Sequence, residues 1–127
     1  MFKILLIEDD PQHILLVKIR LEIQGFSLEA AQSGAEGVKA AARRPPDLVL
    51  LDLVLPDMEP GEAIKALRAL PGARKTPIIA FTGLDAFEVN RADLGVEIAD
   101  FIQKPYETSD LLEKINHLLK NRVRERT

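Results

Sequence analysis

The sequence predicts one α/β domain, a doubly wound sheet of five parallel strands with five helices distributed over its two faces. Short apolar runs of strand length alternate along the chain with segments whose apolar residues follow a helical period. Two of the runs, LVLL at 48–51 and PIIAF at 77–81, carry no polar side chain on either face. Such strands are typical of a parallel sheet that helices cover on both sides.

The first strand is predicted at 2–7 and the first helix at 11–24, with the acidic loop EDD between them. Pro11 suits the first turn of this helix, and Gly25 suits the left-handed position just past its end. One face of the helix is predicted to carry Ile14, Leu15, Val17 and Leu21.

Ser33 and Glu36 have the spacing of a capping box, which predicts a helix that continues through Arg43 and ends at the following proline pair. Strands are predicted on either side of this helix, at 26–31 and 47–52. The later elements follow from the same signals: a helix over 61–70 ended by Pro71 and Gly72, a strand over 77–82, a helix over about 84–94, a strand over about 99–102, and a last helix capped by Thr108 or Ser109 and reaching about Val123.

Length and composition fit a single compact domain. The chain has 127 residues, of which 46% are hydrophobic, and we expect residues 1–122 to form the domain. Residues 123–127 form a basic tail that either frays from the last helix or begins a linker.

The charge balance gives no reason to expect binding to nucleic acid or to an anionic membrane. Seventeen basic residues stand against 20 acidic ones, a net charge of −3. There is no cysteine, which excludes disulfides and thiolate metal sites, and no apolar run approaches the roughly 18 residues of a membrane span. A cytoplasmic protein is the resulting expectation.

Polar residues follow four of the five predicted strands, where the strands end. Because the carboxyl ends of parallel strands lie along one edge of the sheet, these side chains are expected to converge there. They are Glu8 and Asp9 after the first strand, Asp52 at the end of the third, Thr82 at the end of the fourth and Lys104 after the fifth.

Converging carboxylates repel one another unless a cation lies among them. An oxygen-only set without cysteine or histidine suits Mg²⁺. A metal held by Glu8, Asp9 and Asp52 beside Lys104 and the hydroxyl of Thr82 suits a phosphate group, and a carboxylate can act as the nucleophile. The residues therefore indicate phosphoryl transfer to an aspartate.

Four segments together resemble the receiver domain of two-component response regulators, which has a flavodoxin-like fold. They are ILLIEDDP, LVLLDLVLPDMEPGE, PIIAFTG and DFIQKPY, and they span nearly the whole chain. The resemblance implies that Asp52 accepts a phosphoryl group from a phosphohistidine. It also implies that Glu8, Asp9, Asp52 and the backbone carbonyl of Val54 bind Mg²⁺, that Lys104 binds the phosphate, and that the Lys104–Pro105 bond is cis.

The same resemblance implies how the domain signals. Thr82 moves toward the phosphate, Phe101 turns inward, and the face formed by the helix over 84–94, the fifth strand and the last helix changes shape. The implied partners are a sensor histidine kinase or a histidine phosphotransfer protein, and a downstream effector protein. The implied state is a monomer or a weak, phosphorylation-dependent dimer that catalyses only its own phosphorylation and dephosphorylation.

The sequence departs from the family pattern at three places. Pro60 replaces the usual glycine, and Gly61 is expected to take over its turn. Glu97 stands where a glycine usually precedes the fifth strand, and the nearby glycine is Gly95. The residues two past Asp52 and two past Thr82, Val54 and Leu84, are apolar and cannot orient an attacking water, which predicts slow dephosphorylation.

Other polar and aromatic residues have simpler interpretations. Asp10 is expected to cap the first helix, and Asp57 to be a loop or cap residue. His13 and His117 are expected to be solvated helix residues, although His13 lies near enough to modulate the site. Phe87 and Tyr106 belong either to the core or to the partner face.

Three alternatives stay open. The first is a hydrolase with an aspartyl nucleophile, which Val54 disfavours because such phosphatases usually carry a second acid there. The second is a receiver-fold scaffold that works without phosphate. The third is a receiver fragment of a larger DNA-binding regulator or hybrid kinase.

Overall fold

The computed structural model describes residues 1–83 and 98–126, the last five of them by their backbone alone. The strands are β1 (Lys3–Ile7), β2 (Ser27–Ala31), β3 (Leu48–Asp52), β4 (Ile78–Thr82) and β5 (Asp100–Gln103). The helices are α1 (Pro11–Ile23), α2 (Gly34–Arg43), α3 (Pro60–Ala69) and α4 (Thr108–Arg126), and a 3-10 turn spans Pro71–Ala73. The helix predicted over 84–94 lies outside the described residues, as do Leu84, Phe87, Gly95 and Glu97.

All five strands are parallel, in the order β2-β1-β3-β4-β5. The predicted doubly wound α/β fold is therefore confirmed. In this order β1 and β3 are neighbours near the middle of the sheet, so the residues that follow β1 lie beside the end of β3.

Two hydrophobic layers cover the sheet, one on each face. Along β3, Val49 and Leu51 pack on the α2 and α3 side, whereas Leu48 and Leu50 pack on the α1 and α4 side. All four side chains are at most 1% exposed. The burial of both faces explains why β3 and β4 read as continuous apolar runs.

The predicted ends of α1 and α2 are confirmed. Asp10 caps α1 by accepting from the Gln12 N–H, and Gly25 has φ +92°. Ser33 caps α2 by accepting from Glu36, but the Glu36 carboxylate accepts from the N–H of Gln32 rather than from that of Ser33.

One assignment on α1 is wrong. Leu15 is 58% exposed, and it lies with Leu16, Ile19 and Ile23 on the outer face of the helix. The buried positions are Val17 and Leu21, because α1 presents a narrow stripe to the sheet.

The segment around Pro60 differs from the expectation. Pro60 is the first residue of α3, where its missing N–H is not needed and its fixed φ suits the helix. Gly61 lies inside this helix, and among the described glycines the one with positive φ is Gly25. The expectation that Gly61 takes over the turn is therefore wrong.

The last helix begins earlier and ends later than predicted. It starts at Thr108, whose backbone is already helical, so the capping position falls at Glu107 rather than at Thr108 or Ser109. It continues to Arg126, so most of the basic tail is helical backbone. In the described parts of the chain, no helix is both long enough and apolar enough to cross a membrane.

Candidate functional site: an acidic cluster at the carboxyl edge of the sheet

Three carboxyl groups meet where β1 and β3 end. Glu8 and Asp9 follow β1, and Asp52 is the last residue of β3. Each of them offers an oxygen that lies within 4.8 Å of those of the other two. Glu8 and Asp52 are 1% and 7% exposed, whereas Asp9 is exposed at the mouth of the cluster.

The Lys104 ammonium lies between the two buried carboxylates. Its Nζ is 3.2 Å from Asp52 Oδ2 and 3.3 Å from each oxygen of Glu8. The backbone N–H of Lys104 donates to the Thr82 carbonyl at 2.8 Å, which fixes the start of the loop after β5. The Lys104–Pro105 peptide bond is cis, as the family resemblance implied.

The two buried carboxyl groups have pKa values shifted in opposite directions. Burial, together with the neighbouring Glu8 carboxyl, raises the pKa of Asp52 above its usual range, against the Val54 N–H and the Lys104 charge. Burial also raises the pKa of Glu8, but contacts with His13, Asp52 and Lys104 outweigh it and hold the pKa of Glu8 below its usual range. Asp52 thus resists ionisation more than an ordinary aspartate does.

The donor set fits a hard divalent cation. Three ionised carboxylates against one ammonium leave a net charge of −2, which a divalent ion balances. The donors are all oxygens, with one exposed member through which a hydrated ion can enter, and Mg²⁺ keeps several waters when it binds to a few carboxylates. The described residues therefore form a cluster that could hold Mg²⁺.

The other predicted site residues lie around this cluster. Thr82 ends β4, is 2% exposed, and follows Phe81, the partner of Asp52 in the sheet register. Val54 donates its N–H to Asp52 Oδ1 at 2.8 Å and exposes 71% of its surface. Phe101 is half-buried in β5 and packs against the α2 and α3 side of the core.

His13 is not the solvated residue that its sequence position suggested. Its side chain is 12% exposed, with Nδ1 3.2 Å from Glu8 Oε1 and Nε2 2.6 Å from the Tyr106 hydroxyl. The Nδ1 contact is a close polar approach rather than a hydrogen bond of regular geometry. His117, by contrast, is exposed as expected. His13 and Tyr106 lie 93 positions apart in the sequence, so no local pattern indicated this contact.

Asp57 connects the loop after β3 to the start of α2. Its two carboxylate oxygens accept from the N–H groups of Gly34 and Ala35, at 2.8 and 2.9 Å. These two hydrogen bonds lower the pKa of Asp57. Asp57 is thus a cap residue, as predicted, but it caps a helix that precedes it in the chain.

Comparison with known proteins agrees with this geometry. Residues 4–116 match the family model of the response regulator receiver domain. YkoG of Bacillus subtilis, named as an uncharacterized transcriptional regulatory protein, is 32% identical over 117 residues, which cover 92% of this chain and 50% of YkoG. The chain spans about half the length of the curated relatives it matches.

Solved structures match over nearly the full chain. The CheY-like response regulator receiver domain protein from Methanospirillum hungatei is 32% identical with a TM-score of 0.87, covering 98% of both chains. The receiver domain of the sensor histidine kinase PA1611 from Pseudomonas aeruginosa, which has a magnesium ion coordinated in its active-site cleft, is 26% identical with a TM-score of 0.86, covering 94% of this chain and 98% of that one. This chain belongs to the response regulator receiver domain family, whose members are signalling modules rather than conventional enzymes.

Proposed function

We propose that this domain is a phosphoacceptor in which Asp52 takes a phosphoryl group from a phosphohistidine with the help of Mg²⁺. The observation that supports the proposal most directly is the position of Asp52. It is a buried carboxylate at the end of β3, within 4.8 Å of two further carboxylates and 3.2 Å from the Lys104 ammonium.

The transfer exchanges one covalent bond for another. A carboxylate oxygen of Asp52 attacks phosphorus, an O–P bond forms, and the N–P bond of the phosphohistidine breaks. The donor imidazole keeps the electron pair of the broken bond and takes up a proton. The Val54 N–H, 2.8 Å from Asp52 Oδ1, holds that oxygen in place and leaves Oδ2 on the Lys104 side.

Glu8, Asp9, Asp52 and the carbonyl of Val54 are the proposed Mg²⁺ ligands. When bound, Mg²⁺ neutralises charge on the phosphoryl oxygens. Lys104 supplies a second positive charge, and Thr82 donates its hydroxyl to a phosphoryl oxygen. Asp52 must be ionised to attack, so balancing the cluster's negative charge favours the reactive form.

We also propose that phosphorylation is read at β5 and α4. Phe101 lies on β5 and lines an open groove of about 620 Å³ along α4, whose rim also carries Tyr106 and Lys114. A Thr82 shift toward the phosphoryl group frees space for the Phe101 ring, and its turning reshapes this groove. The proposed partners are a histidine kinase or phosphotransfer protein as donor and an effector protein at the groove.

Phosphorylation by a small donor tests the proposal. Purified protein incubated with acetyl phosphate and Mg²⁺ is expected to gain the mass of one phosphoryl group in intact mass spectrometry, and Asp52→Asn is expected to gain none. Asp47→Asn is the matched control, because Asp47 precedes the other end of β3 and binds the Lys3 N–H. An unmodified wild-type protein would favour the phosphate-independent scaffold instead.

A second candidate is that these residues are the receiver part of a longer transcriptional regulator. It is favoured because this chain matches about half the length of curated relatives that are named transcriptional regulatory proteins. The mass of the native protein, detected with an antibody in its own cells, tests it: a species near 14.1 kDa argues against the longer chain.

A further inference from the structure

His13 lies behind the acidic cluster, between Glu8 and Tyr106. Its Nδ1 is 3.2 Å from Glu8 Oε1, and its Nε2 is 2.6 Å from the Tyr106 hydroxyl. We propose that His13 and Tyr106 form a positioning pair that orients the Glu8 carboxylate for Mg²⁺. The inference rests on the proposed function, because it takes Glu8 as a ligand of the metal.

The Glu8 carboxylate determines which imidazole nitrogen must carry a proton. A carboxylate only accepts, so Nδ1, which lies 3.2 Å from Glu8 Oε1, carries the proton on that side. On the other side of the ring Nε2 pairs with the Tyr106 hydroxyl at 2.6 Å, and a phenol can donate or accept. Burial raises the pKa of Tyr106 to about 12, so the phenol keeps its proton. The three side chains therefore form a line of polar contacts that ends at a carboxylate oxygen of Glu8.

Aromatic packing holds the imidazole in this position. The rings of His13 and Phe81 meet edge to face, with centroids 5.0 Å apart and an interplanar angle of 80°. Phe81 is fully buried and also contacts the Tyr106 ring at 5.4 Å. The imidazole therefore cannot turn away from Glu8 without disturbing the core.

Glu8 is consequently held from two sides. Lys104 Nζ lies 3.3 Å from both of its oxygens, and His13 approaches Oε1. These two contacts restrain the Glu8 carboxylate in one orientation toward the acidic cluster. Partners of this kind, one step removed from the ion, orient ligands and typically change metal affinity by roughly 10- to 100-fold when they are removed.

The chain contains its own optical probe for the test. Tyr106 is the single tyrosine and there is no tryptophan, so tyrosine fluorescence reports the phenol that contacts His13. We expect Mg²⁺ titration to change the Tyr106 emission of the wild-type protein, and thermal stabilisation by Mg²⁺ to give the affinity of each variant independently.

Substitutions at His13 and Tyr106 separate positioning from packing. His13→Leu is expected to weaken Mg²⁺ binding about tenfold or more. His13→Asn, which keeps an N–H near the place of Nδ1, is expected to recover part of that loss. Tyr106→Phe keeps the ring against Phe81 but removes the hydroxyl that pairs with His13 Nε2, and a several-fold loss of Mg²⁺ affinity is expected. The same change at the exposed histidine, His117→Leu, is the control and should leave the affinity unchanged.

The outcomes distinguish the pair from the proposed function. If His13→Leu and Tyr106→Phe fold and bind Mg²⁺ as tightly as the wild-type protein does, the positioning role is overturned. The phosphoacceptor proposal then still stands, provided that the wild-type protein is phosphorylated at Asp52. Equal losses in His13→Leu and His13→Asn would also overturn it, because packing would then explain the effect. A wild-type protein that binds no Mg²⁺ would overturn both.

Discussion

The surroundings of Asp52 disfavour a negative charge on its carboxyl group. Burial and the Glu8 carboxyl raise the pKa of Asp52, so folding favours its protonated form. A carboxyl group whose pKa is higher in the folded state stabilises the fold below its unfolded pKa, and this contribution is lost as the pH rises through the folded pKa. At neutral pH without Mg²⁺, Asp52 is therefore a cost to the stability of the domain.

Removing that charge is expected to stabilise the protein. Asp52→Asn keeps an oxygen for the Val54 N–H and should raise the melting temperature at pH 7 by a few degrees when Mg²⁺ is absent. The gain should shrink as the pH falls below the raised pKa of Asp52. Thermal melts from pH 4 to 8 provide the measurement. Asp9→Asn, at the exposed carboxylate of the cluster, is the control and should change the melting temperature less. A gain in the melting temperature of Asp52→Asn that did not vary with pH would contradict this account.

The side chains beside Asp52 affect the expected lifetime of the proposed aspartyl phosphate. The side chain of Val54 is apolar and cannot orient a water molecule, and the sequence assigns the same property to Leu84. We expect the double substitution Val54→Asn with Leu84→Glu to accelerate phosphate loss by about tenfold or more, because both new side chains can hydrogen-bond to a water. Phosphate release from the phosphorylated protein is the measurement. Unchanged release would show that neither position limits hydrolysis.

The sequence predicted the acidic cluster because strand ends in a parallel sheet fall on one edge, a rule that needs no side-chain detail. It did not predict the contact of His13 with Tyr106. The contact between His13 and Tyr106 depends on how α1 packs against β4 and on the path of the loop after Lys104. The periodicity of the local sequence predicts neither. A histidine followed by apolar residues in a first turn has the same local pattern whether it is solvated or buried.

At the scale of elements, close approaches fix how α2 lies on the sheet. A Cβ on Gly37 would come within 2.4 Å of Ile7 Cδ1, and one on Gly34 within 2.5 Å of Met58 Sδ. Ile7 is fully buried, whereas Met58 is half-buried and flexible. The Gly37 contact is therefore the less forgiving of the two.

Gly37→Ala is expected to destabilise the domain by about 1 kcal/mol or more, although alanine favours a helix by roughly 1 kcal/mol over glycine. Urea unfolding is the measurement. Combining it with Ile7→Val, which removes Cδ1, should cost less than the sum of the two single changes. Gly83→Ala, whose added Cβ would have none of the described residues within 4 Å, is the control. Strict additivity would rule out the steric explanation.

The loop after β3 is tied to α2 through Asp57. Asp57→Ala removes both acceptors and Asp57→Asn removes the charge and one acceptor, so the melting temperature should fall in both, and further in Asp57→Ala. Because the pKa of Asp57 is lowered, its stabilisation is present above its ordinary value of 3.8 and is lost as the pH falls through the folded value. Melts at a series of pH values below 7 test this, and a difference that did not narrow as the pH fell would contradict it.

Element order was predictable, since β1, β3 and β4 are short apolar runs and the ends of α1 and α2 are marked by Asp10, Gly25 and Ser33. Features that depend on contacts with other elements of the fold were harder to predict from the sequence. Leu15 follows the apolar period yet lies outside, because the sheet accepts a narrow stripe of α1. Pro60 departs from the family pattern, but it suits the first position of α3, where a proline is well tolerated.

At the scale of the whole molecule, stability resides in the two layers that sandwich the sheet. On the α4 side the anchoring residues are Leu111, Ile115 and Leu119, all of which precede the basic tail. Deleting 123–127 is therefore expected to shift the melting temperature by no more than about 2 °C. Leu119→Ala is the positive control, with a loss of about 2–5 kcal/mol. A large loss on deletion would show that the tail belongs to the domain.

Lys104 affects the acidic cluster in a way that is separate from its proposed contact with phosphate. With an ammonium already bridging Glu8 and Asp52, the carboxylates are partly satisfied before any ion arrives, and an incoming ion competes with a tethered one that cannot diffuse away. We expect such competition to weaken ion binding. Under the proposed function, occupancy of the site would then follow the free Mg²⁺ concentration around the protein, and so would the readiness of Asp52 to be phosphorylated.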